Sequence, residues 1–312
     1  MKWEKKGFIY APDPSSWMHA YAQVPTGIAF ENFIRVYIGC RPKNPADTLP
    51  ISQIGYVDVD RRQPDRIIRR AERAVLPLGG KGCFDEFGLH PLSVLRRGGE
   101  IWLYYVGWTR MASVPFNRAI GLAISRDDGN TFERFGPGPV LGATHNEPFL
   151  QQGPSVRIVG DTWHMWYLSG IEWIEHESRM EAIYRIMHAT SSDGIRWERN
   201  GQQIMPTVEE HECHAGQAVI ERDGVYHMWF SFRRGLDFRN PTGGYRIGYA
   251  RSSDLLHWER DDASAGIGLS AEGWDSEMVC YPNIVECDGR TLMFYCGNYF
   301  GRDGFGYADL TG

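Results

Sequence analysis

A five-fold internal repeat constrains this chain more than any other feature. Gln53-Ile54-Gly55-Tyr56-Val57, Ala119-Ile120-Gly121-Leu122-Ala123, Arg185-Ile186-Met187-His188-Ala189, Arg246-Ile247-Gly248-Tyr249-Ala250 and Gly304-Phe305-Gly306-Tyr307-Ala308 are versions of one segment. Their central residues fall at 55, 121, 187, 248 and 306, giving spacings of 66, 66, 61 and 58. Three copies continue into a Ser-x-Asp turn and then Phe132-Glu133-Arg134, Trp197-Glu198-Arg199 or Trp258-Glu259-Arg260. Upstream of the copies lie alternating aromatic runs: Ile101–Gly107, Thr162–Leu168, Val225–Ser231 and Thr291–Gly297, with Phe33–Gly39 a weaker first version. Another short apolar run precedes each of these. Every unit therefore reads as four strands over about 60 residues, the pattern of a propeller blade.

Five units predict an all-β protein: a five-bladed β-propeller of four-stranded antiparallel blades. The blades span approximately 19–76, 83–141, 147–205, 212–267 and 276–312 together with 1–12. The last unit stops at Asp309-Leu310-Thr311-Gly312, before its outer strand, while Lys2-Trp3-Glu4-Lys5 resembles Arg196-Trp197-Glu198-Arg199. The N-terminal strand is thus expected to complete the last blade and cover an open edge. Aromatic residues at 13%, with 36 Gly and 17 Pro, suit short strands and tight turns and leave no room for a helix of ordinary length.

A net charge of −6 argues against a nucleic-acid partner, which would need a basic face. No apolar run approaches the ~20 residues of a membrane span, and the N-terminus lacks the apolar stretch of a signal peptide. The six cysteines form no C-x-x-C pair, so reduced thiols and a cytoplasmic location are expected. Nothing in the sequence fixes an oligomeric state.

In a propeller, residues just ahead of each innermost strand face a shared funnel. Those positions carry His19 in the first unit; Asp85, Glu86 and His90 in the second; Glu147 and Gln152 in the third; Glu212 and His214 in the fourth; and Trp274, Asp275, Glu277 and Tyr281 in the fifth. Any one mouth carboxylate reads as a turn residue more readily than as a catalyst. Repetition in successive blades is what argues for a shared site. Carboxylates converging in a dry funnel push their pKa values apart, which supplies an acid and a base. On blade position, Glu212 is the expected proton donor and Asp85 the base or nucleophile. Glu147 and Asp275 would tune them or hold hydroxyls, and His90 and His214 would contact substrate. Trp108 follows a strand end and would stack on a sugar face. Arg233 and Arg234 would bind a carboxylate or phosphate, or pair with acids. No cofactor is expected; the alternative is a divalent metal held by His19, His90 and His214 with Glu212. There is no G-x-S-x-G nucleophile elbow.

The Ser-x-Asp-Gly-x-x-Trp-Glu segment after a Gly-Tyr-Ala strand, five times round, resembles the five-bladed glycoside hydrolases of families 43, 32, 62, 68, 117 and 130 and uncharacterised glycosidase-like relatives. The resemblance implies a carbohydrate-active enzyme with a small sugar or sugar-conjugate substrate, cleaving or transferring a glycosidic bond. It also implies two alternatives: an inverting phosphorylase using phosphate, and a sugar-binding propeller without catalysis; metal-dependent lyase or isomerase chemistry at the His cluster is a further one. The sequence departs from the family pattern in two places. The first inner strand, Trp17 to Val24, has no carboxylate, Asp13 being the nearest. The Glu-Gly-Pro of family 43 corresponds to Gln152-Gly153-Pro154, with an amide for the acid.

Overall fold

A computed structural model of the chain describes residues 1–44 and 49–311; positions 45–48 of the first unit and Gly312 of the last lie outside the described residues. The chain begins with β1 (Lys2–Tyr10). The first blade follows as β2 (Ala20–Ala29), β3 (Phe33–Arg41), β4 (Gln53–Asp60) and β5 (Ile67–Arg70). The second is β6 (Gly88–Arg97), β7 (Glu100–Arg110), β8 (Phe116–Ser125) and β9 (Glu133–Arg134). The third is β10 (Gln151–Val159), β11 (Thr162–His176), β12 (Arg179–Ser191) and β13 (Glu198–Gln203). The fourth is β14 (Cys213–Arg222), β15 (Val225–Arg233), β16 (Arg246–Ser252) and β17 (Glu259–Arg260). The fifth is β18 (Cys280–Cys287), β19 (Arg290–Cys296), β20 (Phe305–Thr311) and, from the other end of the chain, β1.

The expected seam is present. β1 pairs antiparallel with β20 from Lys2↔Thr311 to Tyr10↔Phe305. Trp3 is buried there, edge-on to Trp229 with ring centroids 5.2 Å apart. The ring closes because the innermost strands pack in succession: β2 on β6, β6 on β10, β10 on β14, β14 on β18 and β18 on β2.

The repeat has a local cause. In three blades a Ser-x-Asp turn links the third strand to the outer one. Ser125, Ser191 and Ser252 accept from the backbone N–H groups of Gly129, Gly194 and Leu255, while Asp127, Asp193 and Asp254 accept from later ones. Two of these turn tips are also held by the preceding blade: Tyr37 donates to the Gly129 carbonyl at 2.8 Å and Tyr104 to that of Gly194 at 2.7 Å. Single turns at Asp262–Ser264 and Asn298–Gly301 are the helical pieces among the described residues, none long and apolar enough to cross a membrane.

Each innermost strand carries a bulge at the equivalent place: Gln23/Thr26, Pro91/Ser93, Gln152/Ser155, Ala215/Gln217 and Cys280/Asn283. Val24, Gly153, Gly216 and Tyr281 have positive φ there, a strained state for valine and tyrosine. A bulge re-aims side chains, and residues at or beside these bulges line a central cavity.

Candidate functional site

The four carboxylates expected to converge do not share a funnel. Each sits in its own blade, almost fully buried, tied to a cation on that blade's outermost strand. Asp85 meets Arg134 at 2.7 Å and accepts from the Tyr105 hydroxyl at 3.0 Å. Glu147 meets Arg199 at 3.0 Å and accepts from Tyr167 at 2.8 Å. Asp275 meets Lys5 at 2.6 Å and accepts from Tyr295 at 2.9 Å. Glu212 takes both terminal nitrogens of Arg260, at 2.6 and 3.3 Å, and lies 2.9 Å from His214 Nε2.

The cations are the last residues of Phe-Glu-Arg, Trp-Glu-Arg and Trp-Glu-Lys, so the repeated motif supplies a basic partner to each repeated acid. The phenols come from equivalent places on the second strands, opposite Gly121, Met187 and Gly306. In the fourth blade that place holds Phe230, opposite Gly248, and His214 takes over the phenol's role. These are clasps: they lock the loop entering a blade to the strand that leaves it.

Glu212 shows the chemical consequence. Burial alone would raise its pKa, but the hydrogen bonds and charges of His214 and Arg260 outweigh that and hold it below the usual carboxylate range. A proton donor at neutral pH needs the opposite shift. Convergence of carboxylates in the centre is therefore corrected: pseudo-symmetry repeats these acids around the ring without bringing them together.

The axial cavity is lined by different side chains. About 120 Å³ in volume, it is bounded by residues from all five innermost strands, among them Gln23, His90, Gln152, Ala215 and Tyr281, and by Arg41, Arg118 and Tyr184 behind them. At the ~30 Å³ that each water takes up in the liquid, that is room for about four waters. No carboxylate lines it among the described residues. Arg118 donates to the Gln152 side-chain oxygen and lies 4.3 Å from the Phe116 ring, while its Nε has no hydrogen-bond partner among the described residues. Burial, little offset by surrounding phenols, pulls its pKa down. Arg41 stacks on Tyr21 at 3.9 Å and makes no ion pair with a described carboxylate.

His90 shares this cavity, and its Nε2 is buried without a partner among the described residues. Burial, reinforced by the charges of Arg118 and Arg41, pushes its pKa down to about 3, so the ring is neutral at pH 7. Gly39 makes room for it: a Cβ there would lie 2.6 Å from the imidazole Cδ2. The Tyr184 hydroxyl and that of the buried Tyr245 are 2.9 Å apart.

Of the sequence-predicted residues, His90, Gln152 and Tyr281 line the cavity. Trp108 borders an adjoining groove, its indole N–H on the Ser52 hydroxyl at 2.9 Å. The others are elsewhere. His19 bonds the Pro14 carbonyl, and Glu86 accepts the Gly82 N–H within its own loop. Arg233 is buried on the carbonyls of Gly235 and Ala182 and over the Phe238 ring, and Arg234 lies near Glu209 on the surface. Trp274 packs on Tyr295, and the Glu277 N–H is fixed by Asn298. Both ring nitrogens of His214 are engaged, by Glu212 and by the Ile186 N–H, so it does not join His19 and His90 as a metal ligand. No group of three or more His, Cys, Asp or Glu among the described residues is arranged to hold a metal ion.

Arg41, Arg118 and Tyr184 were not anticipated. Arg118 and Tyr184 stand three residues before the repeat's central position, where the other copies have Ser52, Tyr245 and Asp303. All five are polar and no two neighbouring copies before Tyr245 agree, a signal visible at the start of the third strands and not the first.

No family model matches the chain. It is 34% identical to the uncharacterized proteins MT1551 and Rv1502 of Mycobacterium tuberculosis, over 99% of either chain. A 1,2-β-oligomannan phosphorylase of Thermoanaerobacter is 27% identical over 122 residues, 38% of this chain and 37% of that one. Among solved structures, BT0996 in its RGII complex superposes with a TM-score of 0.76 at 18% identity, covering 99% of this chain and 92% of that one. A glycoside hydrolase of the GH130 family of mannoside phosphorylases superposes with a TM-score of 0.72 at 13% identity, covering 99% and 93%. These structures share the five-bladed fold of glycoside hydrolase propellers. Identity sustained along essentially the whole of both chains places this protein in one family with MT1551 and Rv1502.

Proposed function

We propose that this protein is a carbohydrate-active enzyme that seats an anionic group at the propeller axis and transfers a glycosyl unit to or from phosphate. One observation carries the reading: the axial cavity holds two arginines and, among the described residues, no carboxylate, and Arg118 is braced by an amide at the position where a resembling family has an acid. A glutamate at 152 would neutralise Arg118; glutamine positions it and leaves its charge for a ligand. Charge-assisted hydrogen bonds from a guanidinium suit phosphate and carboxylate oxygens. The similarity to an oligomannan phosphorylase, over part of the chain, supports the same choice.

In this account Arg41 and Arg118 bind the anion, while Gln23, Gln152, Tyr184 and Tyr281 hold hydroxyls. The burial that pushes the Tyr281 phenol well above its ordinary pKa keeps it a neutral donor. His90, neutral at pH 7, is a hydrogen-bonding group; as a hydrogenphosphate oxygen bonds the anomeric carbon and the glycosidic C–O bond breaks, the proton that hydrogenphosphate gives up balances the one the departing oxygen takes. Calorimetric titration with inorganic phosphate, glucuronate and neutral mannose, followed by turnover of β-1,2-mannobiose with and without phosphate, tests the reading. Binding of an anion that Arg118→Gln weakens at least tenfold, with phosphate-dependent release of product, is expected. Phosphate binding alone would mark phosphate as the partner and glucuronate alone a uronic-acid substrate. Turnover unaffected by phosphate, or absence of any anion binding, would overturn it.

A further inference from the structure

A second cavity, about 470 Å³ in volume, opens beside the axial one and shares Arg41, His90 and Arg118 with it. Its other walls are largely of a different character: Leu49, Pro50, Trp108, Met111, Pro115 and Phe116 line it, with Ser52 and Arg110 as polar members. Met111 is 49% exposed although the groove beside it is apolar. Phe116 is backed edge-on by Trp173, 5.4 Å away, from the overhang of the β11–β12 hairpin, which runs on past its neighbours to His176. Arg110, which the axial cavity does not share, lies over the Phe87 ring at 4.1 Å. The Trp108 N–H is already used by Ser52, and the Arg118 guanidinium lies over the Phe116 ring at the inner end.

A cationic chamber that shares Arg41, His90 and Arg118 with a largely apolar groove is complementary to a molecule with an anion at one end and an apolar group at the other. We infer that the groove between Trp108 and Phe116 seats the alkyl or aryl portion of an anionic glycoconjugate whose phosphate or carboxylate is held by Arg41 and Arg118. This rests on the reading of the axial cavity as an anion site and adds the chemical class of the substrate's other end. Burial of a chain of methylenes against these walls strengthens binding in proportion to the apolar area removed from water.

The test is calorimetric titration of the intact protein with three probes: inorganic phosphate, hexyl phosphate and hexyl glucoside. Hexyl phosphate is expected to bind at least tenfold tighter than inorganic phosphate. Met111→Ser, at an exposed position on the groove wall, should lose much of that gain and keep its affinity for inorganic phosphate. Arg118→Gln should weaken both phosphates. Equal affinity for hexyl and inorganic phosphate would overturn the groove's role and leave the axial anion site standing. Failure of both phosphates to bind would overturn the anion site beneath it. Hexyl glucoside binding as tightly as hexyl phosphate, with Arg118→Gln indifferent, would show that the groove takes neutral apolar ligands and would overturn the coupling of the two cavities.

Discussion

The blade clasps and the axial chamber use the same residue types to opposite ends. In the clasps, four buried carboxylates each have a cation within 3.0 Å and a phenol or imidazole besides. At the axis, two arginines have no described carboxylate, and His90 Nε2 and Arg118 Nε are buried without partners among the described residues. A charge satisfied inside the protein is scaffold. A charge left over in a cavity is available to something that arrives. Single unpaired atoms occur in the clasps too, at Asp85 Oδ1 and Arg199 Nη1, so what distinguishes the chamber from the ring around it is the missing counter-charge: its arginines have no carboxylate among the described residues.

The largest effect should come from breaking a clasp. Glu147→Ala leaves Arg199, whose side chain is 10% exposed, without its carboxylate, and removing one partner of a buried pair costs about 3–5 kcal/mol. Chemical denaturation would measure it. The double change Asp85→Leu, Arg134→Met should recover much of the loss of Asp85→Leu alone, because well-packed apolar replacements of a buried pair are often neutral. A clasp that conversely proves dispensable in a single variant would blur the distinction.

Next comes Gln152→Glu. It should reduce phosphate affinity at least tenfold by giving Arg118 an internal counter-charge, without lowering the unfolding midpoint. Titration of this variant beside Gln152→Ala separates neutralisation from lost positioning.

A smaller effect is pH-dependent. An unfolded histidine takes up a proton near pH 6.5, whereas burial delays this to about 3 for His90 and about 4 for His188. Between those limits the unfolded state binds more protons, so stability is full above pH 6.5 and falls as pH drops toward 3. His90→Gln should flatten part of that slope in melting curves recorded from pH 7 to pH 4. The smallest effect belongs to the first blade, where Asp13 and Arg70 are 4.0 Å apart at the surface and half-exposed. Asp13→Asn there should leave the unfolding midpoint unchanged, in contrast to the four buried clasps.

This contrast also explains what was legible in the sequence. The fold was, because a blade repeats its own local causes: Ser-x-Asp turns, alternating aromatic strands and a Trp-Glu-Arg strand that Trp3-Glu4-Lys5 visibly completes. The site was only partly legible, for the same reason. Asp85, Glu147, Glu212 and Asp275 drew attention by recurring at equivalent places, and equivalence in a ring means separation around it. The cavity is made instead where the copies disagree: His90 and Gln152 stand where other blades have Gln23, Ala215 and Cys280, and Arg118 where others have Ser52 and tyrosines. Repetition marks what builds the propeller. Departure from it marks what the propeller presents.

The most direct measurement titrates phosphate into wild type, Arg118→Gln and Glu212→Gln while recording the unfolding midpoint of each. The division of charges predicts that Arg118→Gln folds like wild type and loses at least tenfold in affinity, whereas Glu212→Gln unfolds early and, while folded, binds phosphate as wild type does. Wild-type affinity in Arg118→Gln, or a stable Glu212→Gln that no longer binds, would contradict it.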